Sequence, residues 1–311
     1  MGNFSEISVV IPVYNGEATL TELLARLEQV LRGVSTRFEV VLVNDGSRDH
    51  SWELICKLGE QHDWVHGINL MRNYGQHNAL LCGIRAATHP LIVTMDDDLQ
   101  HPPEEIPKLL RKLDEGYDVV YGTPEKEQHG LMRVVASRTT KLALQNIMGA
   151  EIAHSVSAFR VIRAQVCNAF ADYKSPFVSI DVLLTWGTTS FASVPVKHDQ
   201  RQGGASNYTF RKLLVHALNM MTGFSVLPLQ LASMMGFSLT LFGFGLLVYV
   251  VGLYVIRGSS VPGFSFLASI IAIFSGTQLF ALGIIGEYLA RVHFRIMNKP
   301  QYTIRSRTVE R

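Results

Sequence analysis

Between Ala217 and Ile256 the chain has no Asp, Glu, Lys or Arg, and a second run free of them extends from Gly258 to Gly286. About 20 apolar residues are enough to cross a bilayer as a helix. Each of the two runs exceeds that length. They are expected to form two membrane spans, about Leu229 to Ile256 and about Phe264 to Gly286, joined by the turn "RGSSVPG". Just upstream, Phe210, Leu213, Leu214, Ala217, Leu218 and Met221 share one helical face, with Arg211, Lys212, His216 and Asn219 opposite. An ordinary surface helix could carry that pattern. Beside an anchor it reads instead as an amphipathic helix lying in the membrane interface over residues 209–226. Basic residues flank the outer ends: Arg201, Arg211 and Lys212 before, then Arg291, Arg295, Lys299, Arg305 and Arg307 after, with only Arg257 in the turn. The positive-inside rule therefore puts both ends in the cytoplasm. Gln278, Glu287 and Arg291 suit bonding between helices better than transport chemistry.

The first two thirds of the chain have a different character. Apolar runs alternate with helical patterns: "ISVVIPV", "FEVVLV", "VHGINL", "PLIVTM" and "YDVVYG" read as strands. Between the first two, Leu20, Leu23, Leu24, Leu27 and Leu31 fall on one helical face. A helix is expected from Pro103 to Glu115, with proline and glutamates in its first turn. Strands alternating with helices predict an α/β fold with a doubly wound, mainly parallel sheet. The domain boundaries follow: a globular domain over 1–208, the interfacial helix over 209–226, the two-helix anchor over 227–290 and a basic tail over 291–311. Net charge is only +2, so a nucleic-acid partner is not expected from the balance. The cysteines, Cys56, Cys82 and Cys167, are odd in number and far apart, which fits buried thiols in a reducing compartment. No basic-plus-apolar leader precedes the first strand pattern.

A polar cluster follows each of the first four strands: "YNGE", "NDGS", "RNYGQ" and "DDDLQ". Turn chemistry could account for any one of them. Four along the carboxyl edge of one sheet, where open α/β sheets bind ligands, point to a site. Neither G-x-G-x-x-G nor G-x-x-x-x-G-K-[ST] occurs, so a dinucleotide fold of the usual kind and a P-loop are unsupported. Asp96, Asp97 and Asp98 stand side by side at a strand end, where they repel one another unless a cation offsets them. Mg2+ and Mn2+ prefer such oxygen ligands and can bridge nucleotide phosphates. Alternation along the chain would point Asp96 and Asp98 the same way, with Gln100 next in line.

The stretches "VVIPVYNGE", "VLVNDGSRD", "RNYGQHNALLCGI" and "MDDDLQHPPEEIPKL" resemble the family 2 glycosyltransferases of GT-A fold that charge polyprenyl phosphates. "GIIGEYLARV" and "KPQY" extend the resemblance to the two-span bacterial members, and "RNYGQH" is most similar to their formamidoarabinose branch. The resemblance implies that Pro12, Tyr14 and Glu17 border the nucleotide base and ribose and that Asp45 contacts the base. It implies that Arg72 and Gly75 lie near the nucleotide cleft, with Asp97 also on the donor side. Asp96 would sit against the donor, and Asp98 with Gln100, and Asp96 beside them, would hold Mg2+ or Mn2+. Arg201, Gly204 and Ser206 match the loop that receives the lipid phosphate, with Arg160 as a further acceptor-phosphate residue. An Arg beside a Gly-Gly turn and a hydroxyl suits such a phosphate, although a flexible basic linker would look the same. The catalytic set implied is Asp96, Asp98 and Arg201.

Two positions depart from the family pattern. His154 or Ser155 stands where members commonly carry Asp, and Asn207 where they often carry Lys. The expected reaction is metal-dependent, inverting transfer of a sugar from a nucleotide sugar, UDP favoured, to undecaprenyl or another polyprenyl phosphate. The resemblance further implies a homo-oligomer such as a tetramer, placed in the lipid bilayer of a bacterial inner membrane with the catalytic domain in the cytoplasm. Two other readings compete. A processive polysaccharide synthase would use the same donor fold, but Q-x-x-R-W is missing and two spans are few for a polymer channel. A non-catalytic sugar-nucleotide-binding subunit draws support from the departure at His154, and the acidic motif argues against it.

Overall fold

The structure is a computed structural model that describes residues 4–124, 156–175, 177–199, 227–257, 263–297 and 299–308. Its chain divides into two compact units, Met1–Leu213 with Asn298–Arg311, and Leu214–Met297. The expected interfacial helix over 209–226, the acceptor loop with Arg201, Gly204 and Ser206, and the departures at His154, Ser155 and Asn207 lie outside the described residues.

Among the described residues of the first unit the strands are β1 (Phe4–Val13), β2 (Ser35–Asn44), β3 (Val65–Leu70), β4 (Leu91–Thr94), β5 (Val119–Pro124), β6 (Arg160–Arg163), β7 (Phe191–Val196) and β8 (Ile304–Arg307). The helices are α1 (Leu20–Val34), α2 (Ser51–Gln61), α3 (Gln76–Ala86), α4 (Ile106–Asp114) and α5 (Ile180–Gly187), with short 3-10 turns at Pro103–Glu105 and Ala164–Phe170. The strands form one eight-stranded sheet in the order β7-β5-β6-β4-β1-β2-β3-β8. Only β6 and β8 run against the other strands. The mainly parallel α/β sheet expected from the sequence is therefore present.

Alternation along the central strands builds two cores. Ile7, Val9, Ile11 and Val13 of β1, with Val40 and Leu42 of β2, pack under α1, α2 and α4. Val10, Val41 and Val43 point the other way, into the layer that holds α3 and α5. Burial on both faces is why these strands read as unbroken apolar runs. The leucine stripe of α1 is buried throughout, each side chain contributing about 2 kcal/mol of transfer free energy. On leaving β1 the chain goes to β2 and β3 on one side and to β4 on the other. This reversal opens a crevice at the carboxyl ends of β1 and β4, the place where open α/β sheets take ligands.

Among its described residues the second unit holds two long helices, α6 (Leu227–Arg257) and α7 (Phe264–Ile296), each long and apolar enough to cross a membrane over Leu229–Gly252 and Ile273–Ala290. They pack on each other, and Gly243 leaves room for the ring of Phe274. Large side chains such as Phe237 and Leu247 face outward, an apolar exterior that water does not favour. α7 continues about ten residues beyond the span expected to end at Gly286. The segment after it was expected as a basic tail; it carries β8, which pairs antiparallel with β3 and closes that edge of the sheet.

Candidate active site

Four loops meet at the crevice and are laced together by side chains from one another. After β1, Asn15 adopts the left-handed conformation (φ 55°), which asparagine tolerates well. Its amide donates to Ser47 Oγ at 3.0 Å, and its side-chain oxygen accepts from the Arg48 amide at 2.8 Å. Gly16 N–H donates to Ser51 Oγ at 2.9 Å, while Glu17 N–H reaches Asp49 Oδ2 and Glu17 Oε2 accepts from the His50 amide. The loops after β1 and β2 therefore form one unit. Hydrogen bonds from several amides and a hydroxyl hold the Asp49 carboxyl below its ordinary value, against the effect of burial.

The loop after β3 is fixed from beneath. Asp45, at the end of β2, is buried, and its two oxygens accept from Tyr74 N–H at 2.7 Å and Gly75 N–H at 2.8 Å. Desolvation raises its proton affinity and these two bonds oppose the rise. Gly46 has φ +67°, and a Cβ there would lie 2.5 Å from Asn73 N, so only glycine lets the two loops approach. Arg72 is exposed above them, its guanidinium 4.6 Å from the centre of the Tyr74 ring.

The acidic run crosses the crevice. Asp97 Oδ2 accepts from Tyr14 N–H at 3.3 Å, and a Cβ on Gly16 would collide with that carboxylate. Desolvation first, then its two acidic neighbours, push the Asp97 carboxyl up to about 7. Asp96 Oδ1 accepts from Gln76 Nε2 at 2.5 Å, across from the first turn of α3. Asp98 Oδ1 accepts from Gln100 N–H at 3.2 Å. Between them Leu99 sits in the left-handed region (φ 59°) with its side chain buried. A non-glycine residue costs roughly 1–2 kcal/mol there, and backbone strain of this kind clusters at functional sites. Behind the run, His101 stacks on Phe159 and meets His198 edge-on at 5.0 Å, and burial lowers its pKa to about 4. Asp199 N–H donates to the Gln100 carbonyl at 2.9 Å, so the exit of β7 is tied to the acidic turn.

The predicted donor and metal residues thus come together: Tyr14, Glu17, Asp45, Arg72, Gly75, Asp96, Asp97, Asp98 and Gln100 all lie on these four loops. Pro12 is buried within β1, opposite Val43. Arg160, expected as a further acceptor-phosphate residue, lies inside the fold. Its side chain is 1% exposed, it forms a buried ion pair with Asp181, and its Nε donates to Thr94 Oγ1 at 3.0 Å. Tyr121 O–H also donates to Asp181, at 3.1 Å. That guanidinium is committed inside the fold and could meet an acceptor phosphate only by abandoning Asp181. Gln76 was not singled out from the sequence, although it sits in the quoted "RNYGQH"; its bond to Asp96 needs the third and fourth loops side by side.

Among the described residues no three His, Cys, Asp or Glu side chains are grouped as a self-sufficient metal site. The acidic turn still fits Mg2+ or Mn2+: its donors are hard oxygens, and Asp96, Asp97 and Asp98 set three carboxylates side by side at the crevice. An ion held by two carboxylates and an amide oxygen would take its remaining ligands from phosphate and water.

The profile of "Glycosyl transferase family 2" matches residues 8–170. The chain is 33% identical over 302 residues to an undecaprenyl-phosphate 4-deoxy-4-formamido-L-arabinose transferase of Klebsiella pneumoniae subsp. pneumoniae, covering 96% of this chain and 92% of that protein. It is 35% identical over 305 residues to the protein of the same name from Shewanella sediminis, covering 97% and 92%. Among solved structures, glucosyl-3-phosphoglycerate synthase from Mycobacterium tuberculosis, crystallised with Mn2+, uridine diphosphate and glucosyl-3-phosphoglycerate, superposes with a TM-score of 0.51. It is 18% identical, and the match covers 70% of this chain and 77% of that one. Mannosyl-3-phosphoglycerate synthase from Rubrobacter xylanophilus gives 0.50 at 17% identity, covering 68% and 72%. At these identities the solved structures speak for the fold alone.

Proposed function

The chain belongs to glycosyl transferase family 2, and from that premise we propose that it moves a sugar from a nucleoside diphosphate to a polyprenyl phosphate at a membrane. The observation that carries this reading is the acidic turn lying across the switch point of the sheet, tied to both the first and the third loop. Pro12, Tyr14, Glu17, Asp45, Arg72 and Gly75 border the nucleotide, with Asp45 and Asp49 also holding their loops in place. Asp96, Asp98 and Gln100 would hold the divalent ion, and Asp97 shapes the donor side. Such an ion would supply positive charge against the departing diphosphate.

An oxygen of the acceptor phosphate attacks the anomeric carbon while the bond from that carbon to the diphosphate breaks. The nucleoside diphosphate leaves with the electron pair, and a single displacement inverts the anomeric configuration. A phosphate is anionic near pH 7, so no general base is required, unlike an alcohol acceptor. The protein's task is to orient two anions and offset their charge. Arg201, Gly204 and Ser206 remain the proposed acceptor-phosphate group. The relatives' name favours undecaprenyl phosphate as carrier, and the two apolar helices suit a carrier whose tail stays in lipid. The remaining particulars are part of the same reading: a UDP-sugar donor, a homo-oligomer, an inner-membrane protein with both termini cytoplasmic, and the division at 208, 226 and 290.

The test uses the full chain in nanodiscs with a panel of nucleotide sugars, following nucleotide release and lipid-linked product with Mn2+, with Mg2+ and with EDTA. Turnover that needs both undecaprenyl phosphate and a divalent ion is expected. Product formation undiminished by EDTA would remove the metal from the scheme. Nucleotide binding without lipid-linked product from any donor would favour a binding subunit.

A further inference from the structure

Both backbone groups of Met71, the residue that leads from β3 into the Arg72–Gly75 loop, are bonded to the chain's last segment. Met71 N–H donates to the Thr303 carbonyl at 2.9 Å, and the Met71 carbonyl accepts from the Arg305 guanidinium at 3.1 Å. The ladder between β3 and β8 pairs Ile68 with Arg307 and Asn69 with Ser306, then shifts register so that Leu70 faces Ile304. The shift leaves Arg305 as the extra residue of a β-bulge. Bulges beside active sites commonly re-aim a side chain, and here the re-aimed group is the one that reaches Met71.

Two further attachments keep the segment in register. Thr308 exchanges bonds with Gly67, its Oγ1 accepting at 2.8 Å and its amide donating at 3.0 Å. At the other end Arg85 donates to Gln301 Oε1 at 2.7 Å and to the carbonyls of Ala171 and Tyr173, and Gln301 Nε2 donates to the same Tyr173 carbonyl. The loop that carries Arg72 is thus gripped twice, by Asp45 at Tyr74 and Gly75 and by residues 303 and 305 at Met71.

We infer that the bulged strand β8 is a positioning element of the donor site, and that Arg305 is the positioning residue that sets the Arg72–Gly75 loop through Met71. The inference rests on the reading that this loop borders the nucleotide. It is separable from that reading, because the order of the loop can be measured without turnover. On this account a group distant in sequence and outside the acidic turn adjusts donor affinity while leaving the acceptor untouched.

The experiment compares the full-length wild type in nanodiscs with Arg305→Ala, Arg305→Lys and, as a control on the same strand, Arg307→Ala. Amide hydrogen exchange is read over peptides containing residues 71–75, beside KM for the nucleotide sugar and for undecaprenyl phosphate. Arg305→Ala is expected to speed exchange in those peptides and to raise donor KM about 3- to 10-fold, the range for losing one partly exposed charged hydrogen bond. Acceptor KM and melting temperature should stay near wild type. Arg305→Lys, whose ammonium can still donate to the Met71 carbonyl, should recover much of the loss, and Arg307→Ala should change neither readout. Unchanged exchange in Arg305→Ala would overturn the inference, as would donor and acceptor KM rising together with a falling melting temperature. If the wild type transferred no sugar, the functional reading would fail while the exchange comparison still decided the role of Arg305.

Discussion

Asp97 shows how much the site's chemistry depends on one side chain's surroundings. Its carboxyl titrates near 7, against a reference of 3.8, because burial and two acidic neighbours disfavour the charged form. With the folded pKa above the unfolded one, the folded state holds the extra proton between these values. Stability from this group is therefore greatest near pH 4 and is lost as pH rises through about 7. Asp97→Asn keeps an oxygen for the Tyr14 amide and removes the charge. Without metal it should stabilise the protein by about 1–2 kcal/mol at pH 8, allowing for screening at the open side of the crevice, and change little at pH 5. Thermal melts of both proteins at the two pH values check this; an equal shift at both would show that charge is not the cause. Gln76 is read from the other side of the same turn. Its amide fixes Asp96 at 2.5 Å, so Gln76→Ala should lower kcat about 10-fold, as a loosened hydrogen bond to an ionised group would. The loss should appear at saturating acceptor, with folding unchanged by circular dichroism.

At the scale of elements, β6 and α5 meet around a buried charge. Arg160 of β6 and Asp181 of α5 pair with Thr94 and Tyr121 beside them. Asp181→Ala strands the guanidinium and should cost about 3–5 kcal/mol, whereas Arg160→Met with Asp181→Leu should recover most of it. Denaturant midpoints of the two variants measure this. Sugar transfer retained by the double variant would also confirm that Arg160 takes no part in holding the acceptor. The elements differed in how plainly they could be read beforehand. The helix α1 and the four strands leading into the crevice were legible because burial on both faces leaves long apolar runs and a strict leucine stripe. β8 was not: "IRSR" is four residues long, on an edge, and three of its side chains are exposed, so nothing in its pattern separates it from a basic tail. The burial of Arg160 was hidden for a related reason. An arginine in a short strand signals surface or site unless its partner, twenty-one residues on, is known to fold back beneath it.

For the molecule as a whole, the described features divide the labour between two units. One presents a crevice of laced loops, and the other is a pair of helices with an apolar exterior. The loops could be located from the sequence, but their lacing could not, because hydrogen bonds such as Asn15 to Ser47 join segments 32 residues apart. An enzyme anchored in the bilayer meets a lipid acceptor by diffusion within that bilayer. Its rate should then follow the acceptor's mole fraction in the membrane rather than its bulk concentration. With undecaprenyl phosphate, protein and nucleotide sugar held constant, adding inert phospholipid to mixed vesicles should lower the initial rate in proportion to the acceptor's surface dilution. Diluting vesicles of fixed composition into buffer at constant nucleotide sugar should leave the rate per enzyme unchanged. A rate that instead followed bulk acceptor concentration would mean that the acceptor reaches the crevice from water, and the two apolar helices would then need another purpose than bringing catalyst and carrier into the same layer.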